Sequence, residues 1–158
     1  MKATIAGLQA LRHFRQQRAE RVLAAEQRAL EQACHTVAGL ERTLRRAQAE
    51  VEAADATLLQ ALLGGGLASG HYLQACEEIQ ALRQAVVVET TALAAASATV
   101  AACRQVRDQA QYQFARRQRQ LEALRPWLAH EARQARLAQD NYEESLTEER
   151  RHPGGVPL

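Results

Sequence analysis

Leu58-Leu59-Gln60-Ala61-Leu62-Leu63-Gly64-Gly65-Gly66-Leu67-Ala68-Ser69-Gly70-His71-Tyr72 is the stretch that decides the fold. A leucine-rich run meets three consecutive glycines, with a fourth at Gly70. Before Gly64 the chain has no proline, and Gly7 and Gly39 are its only glycines. Glycine reaches positive φ without a side-chain clash, so the cluster ends a helix and lets the chain reverse. Ser69 is placed to cap a second helix, with Gly70 and His71 opening it.

Outward from this cluster, apolar residues recur at heptad spacing on both sides. The first arm gives a seam of Ala19, Leu23, Glu26, Leu30, Ala33, Val37, Leu40, Leu44, Ala47, Val51, Ala54, Leu58 and Ala61. The second gives Tyr72, Ala75, Ile79, Leu82, Val86, Glu89, Leu93, Ala96, Val100, Cys103, Arg107, Ala110 and Phe114. The two read as mirror images about Gly66–Leu67: opposed residues, such as Ala19 and Phe114, have numbers that add to 133. Glu26, Glu89 and Arg107 are the only non-apolar seam positions, and Glu26 falls opposite Arg107, which predicts a partly buried ion pair. Many layers set an alanine against a larger residue, for example Ala54–Ile79 and Ala47–Val86, which fills the interhelical space without clash.

The predicted fold is therefore all-α: a two-helix antiparallel coiled-coil hairpin with a longer second helix. One domain covers residues 1–151, with arm 1 at about 3–63, a loop at 64–70 and arm 2 at about 71–151. An uninterrupted first arm of this length would extend roughly 90 Å at about 1.5 Å per residue. Such helices need a partner face to be stable in water. The mirror reaches its limit where Ile5 would oppose Leu128, leaving residues 129–151 without a counterpart. Pro126 lies near that point and predicts a kink or break. The Pro- and Gly-containing end, 152–158, is expected to be disordered.

Composition narrows the function classes. Aromatic residues are 4% of the chain and charged residues 24%, a long-helix profile. A narrow buried stripe offers no concave interior for a substrate, so an enzyme is not expected. Gly64-Gly65-Gly66 lacks the lysine and strand context of a phosphate loop. His13, His35, His71, His130 and His152 are scattered without ligand spacing, so neither metal nor cofactor is expected. Cys34, Cys76 and Cys103 form no paired pattern, which suits a reducing compartment. No continuous apolar run of 18 residues occurs, so no transmembrane helix is expected, and the N-terminal region lacks a signal-type apolar core. Net charge is +2, too small for a general nucleic-acid binder.

Two regions stand out as candidate contact surfaces. In the mirrored register, Arg12, Arg15, Arg18 and Arg21 fall beside Arg116, Arg117, Arg119 and Arg125. Read plainly, these are flanking helix positions balanced by carboxylates such as Glu20 and Glu122. Read functionally, they form a positive collar that steers and orients an acidic partner. Nucleic acid is a weaker fit, because stacking aromatics and groove-reading motifs are missing. The second region is the overhang at 127–150, where Trp127, Leu128, Leu137, Tyr142 and Leu146 lack hairpin partners and suit docking in a groove.

With these features in place, the chain resembles the YscO/FliJ family of type III secretion and flagellar export proteins. The resemblance rests on length, on the arginine-rich segment Leu8-Gln-Ala-Leu-Arg-His-Phe-Arg-Gln-Gln-Arg-Ala-Glu-Arg-Val-Leu23, on the glycine tip near residue 66, and on the acidic-ended second arm. It implies a two-helix coiled coil like the central stalk of rotary ATPases. It further implies a cytoplasmic protein, peripherally associated with a membrane secretion apparatus. Such a protein binds the hexameric export ATPase, links it to the membrane export gate, and in some members binds secretion chaperones. The open end with Arg12 to Arg21 and Arg116 to Arg125 would face the ATPase ring, and the glycine tip the gate. Beside this coupling role stand two other readings: a chaperone-binding adaptor that uses the C-terminal helix, and a structural oligomerisation module. A monomer without membrane insertion is expected.

Overall fold

The structure, a computed structural model, describes residues 2–66 and 68–151. Leu67 and the expected disordered segment 152–158 lie outside the described residues. Three helices account for nearly all of it: α1 (Lys2–Leu63), α2 (Ser69–Glu122) and α3 (Arg125–Arg151). There is no strand among the described residues. The fold is a helical hairpin, with α1 as one arm and α2 plus α3 as the longer second arm.

The reversal between α1 and α2 uses two left-handed glycines, Gly65 at φ 125° and Gly66 at φ 98°. Gly64 N–H donates to the Gln60 carbonyl at 2.9 Å, closing the last turn of α1. The second helix starts slightly earlier than expected. The Ala68 carbonyl accepts from His71 N–H at 3.0 Å and Tyr72 N–H at 3.2 Å, so Ala68 holds the cap position and Ser69 is already helical. Gly70 has no side chain to pack, and the turn geometry set by Gly65 and Gly66 decides the start.

Contacts group the chain into two compact units. The first, Leu23–Ala110, is a two-helix unit formed by α1 and α2 on either side of the glycine turn. Its antiparallel register is the one read from the sequence. One shallow groove of about 310 Å³ is lined by Cys34 and Val37 of α1 with Ser97, Val100 and Arg104 of α2. Another, of about 270 Å³, brings Ala54 and Leu58 to Ala75 and Ile79. Arg83 Nη2 also donates to both carboxylate oxygens of Asp55, at 3.1 and 3.0 Å. Of the 26 seam residues all but Tyr72 are at least half-buried, and Tyr72 sits beside the turn with 41% of its surface exposed. Ile79, Val100 and Ala110, the most buried residues of α2, are all seam residues. No side chain is fully buried, so stability comes from many half-covered layers rather than a closed core.

One expected layer differs. Glu26 and Arg107 do occupy half-buried seam positions, but they make no ion pair. Arg107 Nε instead approaches its neighbour Asp108 to 2.7 Å, at an angle that leaves this buried nitrogen without a hydrogen bond. An adjacent carboxylate that keeps its solvent contact is reached without desolvating a second charge at the seam.

The expectation of no membrane-length apolar segment is also corrected. The helical arm Ser69–Glu148 contains an 18-residue stretch that passes that test by length and composition. Alanine and valine raise the average although Glu89, Thr90, Thr91, Ser97 and Thr99 interrupt the run. In this fold Val86, Leu93, Ala96, Val100 and Cys103 of the same region form the seam toward α1.

The second unit combines α1 up to Val22, α2 from Gln111, and α3. The mirror relation persists here, but its α1 side becomes polar. Gln9, Arg12, Gln16 and Ala19 are half-covered, whereas Leu8, Leu11 and Phe14 are 39%, 44% and 61% exposed. Leu124 is the most buried residue of this unit, at 8% exposure.

Candidate docking surface

The second unit is organised by a break in the second arm. Pro126 has no N–H and its ring would clash with the carbonyl four residues earlier, so it is tolerated only in a helix's first turn. Accordingly α2 ends at Glu122 and α3 begins at Arg125. At the break Leu124 N–H turns to the Leu121 carbonyl at 3.1 Å, which releases the Gln120 carbonyl. Arg12 supplies the missing partner: its Nη1 donates to the Gln120 oxygen at 2.6 Å. A cation on a free carbonyl at a helix C-terminus satisfies the acceptor and complements the helix dipole.

This assigns different roles within the eight arginines. Arg12 is half-buried and ties α1 to α2. Arg117, also half-buried, donates through Nη1 to Gln120 Oε1 at 3.2 Å. Arg15, Arg18, Arg21, Arg116, Arg119 and Arg125 are exposed. The balancing carboxylates of the plain reading are not used. Ion pairs among the described residues join Arg45 to Glu41, Arg83 to Asp55 and Arg107 to Asp108. Glu122 accepts instead from Gln118 Nε2 at 3.3 Å. These six exposed guanidinium groups thus make no ion pair among the described residues.

Large apolar side chains share the unit with them. Phe14, Tyr112 and Trp127 are 61%, 61% and 67% exposed, and Leu8 and Leu11 are also open to solvent. Tyr112, Arg116 and Arg119 follow one another at i, i+4 and i+7 and so share a face of α2. Exposed aromatics beside arginines are the composition of interaction hot spots. Sequence reading named neither Tyr112 nor Phe14 as a contact residue. The signal was available in the heptad count, because position 112 falls between the seam residues Ala110 and Phe114. On α3, Trp127, Leu137, Tyr142 and Leu146 are exposed, while Leu128, Glu131 and Ala135 are half-covered. Among the described residues no cluster of His, Cys, Asp or Glu has metal-site geometry, and the three cysteines are free thiols.

The fold defines a class, a long helical hairpin with an interrupted second arm. A solved structure described as that of a candidate YscO homolog, CT670 from Chlamydia trachomatis, superposes with a TM-score of 0.66 at 20% identity. The match covers 94% of this chain and 96% of that one, so the turn and both arms are shared. No protein-family model matches the sequence, and no curated protein does.

Proposed function

We propose that this chain is a cytoplasmic coupling stalk of a type III secretion export apparatus. In this reading it belongs with the YscO/FliJ proteins, binds the hexameric export ATPase and links it to the membrane export gate. The observation that carries the reading is the set of six exposed arginines with Phe14, Tyr112 and Trp127 in one compact unit. The full-length fold likeness to a protein described as a YscO homolog supports it. A hairpin without a substrate cavity acts by contact, so the protein is a binding component rather than an enzyme.

The test replaces Arg15, Arg18 and Arg116 together by glutamate. All three are exposed and outside the tie that Arg12 makes, so helicity by circular dichroism should stay unchanged. Affinity for the purified export ATPase should fall at least about tenfold, or about 1.4 kcal/mol, and weaken as salt rises. Binding indifferent to both the reversals and salt would reject the arginine surface.

A second reading has its own observation, the exposed Leu137, Tyr142 and Leu146 on α3. Spaced apolar anchors on a helix suit capture by, or of, a secretion chaperone. Removing residues 129–151 should then abolish chaperone binding while ATPase binding persists.

A further inference from the structure

From Ala47 to Leu82 the chain contains no lysine or arginine, and from Ala56 to Cys76 no charged residue at all. In a chain that is 24% charged this segment is exceptional, and the glycine turn lies at its middle. Large apolar side chains face water here, as Val87, Val88 and Val106 do elsewhere in the Leu23–Ala110 unit. Leu59, Leu62, Leu63 and Leu73 are 58%, 46%, 80% and 62% exposed. Leu59, Leu62 and Leu63 fall on one face of the last turn of α1 by their i, i+3, i+4 spacing, and the seam is already made by Leu58 and Ala61. These leucines therefore lie off the seam that holds the hairpin closed.

The border of this surface has one sign. Glu50, Glu52 and Asp55 precede it and Glu77 and Glu78 follow it. Asp55 is partly neutralised by Arg83 at 3.0 Å, while Glu50, Glu52, Glu77 and Glu78 make no ion pair among the described residues. Tyr72, within the surface, stays neutral: its phenol is held above the ordinary value chiefly by its hydrogen bond to Cys76, then by the charge of that thiol and by slight burial.

We propose that the hairpin tip is a protein-docking surface whose occupant presents an apolar face bordered by lysine or arginine. Charge decides between the occupants an exposed leucine cluster could take. A bilayer containing anionic lipid would be repelled by the carboxylate border, since membrane-surface segments use basic flanks. A second copy of this tip would bring like charges together. A basic-bordered partner meets complementary charge around an apolar centre, the arrangement of specific interfaces. The proposal stands independently of the arginine-rich unit, and its variants touch none of the arginines.

The probe is an 18-residue amphipathic helical peptide with a leucine face, made once with arginine flanks and once with glutamate flanks. Full-length protein should bind the arginine-flanked peptide at least tenfold more tightly than the glutamate-flanked one. The pair L63E and L73E, both at exposed positions, should weaken that binding at least tenfold. Purely electrostatic attraction would instead grow stronger, because the substitutions add negative charge. Reversal of the border by E52K, E77K and E78K should reverse the peptide preference. Equal binding of the two peptides, no binding up to millimolar concentration, or indifference to L63E and L73E would overturn the proposal. So would preferential, leucine-dependent binding to vesicles of phosphatidylcholine and phosphatidylglycerol at 3:1, or self-association abolished by the same pair.

Discussion

At the residue scale, layer position decides what each side chain contributes. Ile79 is 6% exposed on the seam, while Val88, nine residues on, is 57% exposed off it. Truncating a buried isoleucine removes its transfer energy and leaves space that alanine-rich neighbours cannot refill. Ile79→Ala should therefore cost about 2 kcal/mol in urea unfolding, the lower end for such a change, and Val88→Ala less than about 0.5 kcal/mol. Equal costs would refute the register. The arginines need the same discrimination. Arg12→Ala orphans the Gln120 carbonyl and should lower stability by about 1 kcal/mol, whereas Arg15→Ala should leave thermal unfolding unchanged. Arg107 was expected to pair with Glu26, and the structure gives its Nε no hydrogen bond. Arg107→Leu should thus be neutral or stabilising; a large loss of stability would restore the charge-pair reading.

At the element scale, glycines and one proline punctuate the chain in different ways. Gly65 and Gly66 carry positive φ, and no atom lies within 4 Å of where a Cβ would stand at either position. The penalty for alanine there is conformational rather than steric, on the order of 1 kcal/mol at each site. Gly39, inside α1 with open space around it, should gain stability on substitution by alanine, by roughly 0.5–1 kcal/mol. The opposite signs are checked by melting temperature in a single series. The turn and the seam were legible because glycine spacing and heptad periodicity are local signals. The break after Glu122 was legible only as a neighbourhood, since Pro126 permits either a kink within one helix or two helices. The role of Arg12 was not legible. It depends on a carbonyl freed by that break, 108 positions away in sequence.

At the scale of the whole molecule, periodicity and charge divide the labour. Alanine-against-large layers account for the two-helix unit, where the expected seam residues are half-buried or better except Tyr72, and the Glu26–Arg107 ion pair does not form. In the other unit the register continues through Gln9, Arg12 and Gln16, which are half-covered, while Leu8, Leu11 and Phe14 are exposed. Such exposed apolar residues gather where exposed arginines and aromatics also gather, as expected when a surface is kept for a partner. Arg15, Arg18, Arg21, Arg116, Arg119 and Arg125 gather in this unit, whereas the segment Ala47–Leu82 carries carboxylates and no lysine or arginine. In the proposed coupling role, differently charged surfaces would hold two partners without confusing them.

In the proposed role the arginine-rich unit, not the glycine tip, meets the ATPase. Photo-crosslinking from single reporter residues at positions 18, 116 and 73, in full-length protein mixed with the purified export ATPase hexamer, tests it most directly. Crosslinks to the ATPase from 18 and 116, suppressed by high salt, and none from 73 are predicted. Crosslinks confined to 73 would contradict the account.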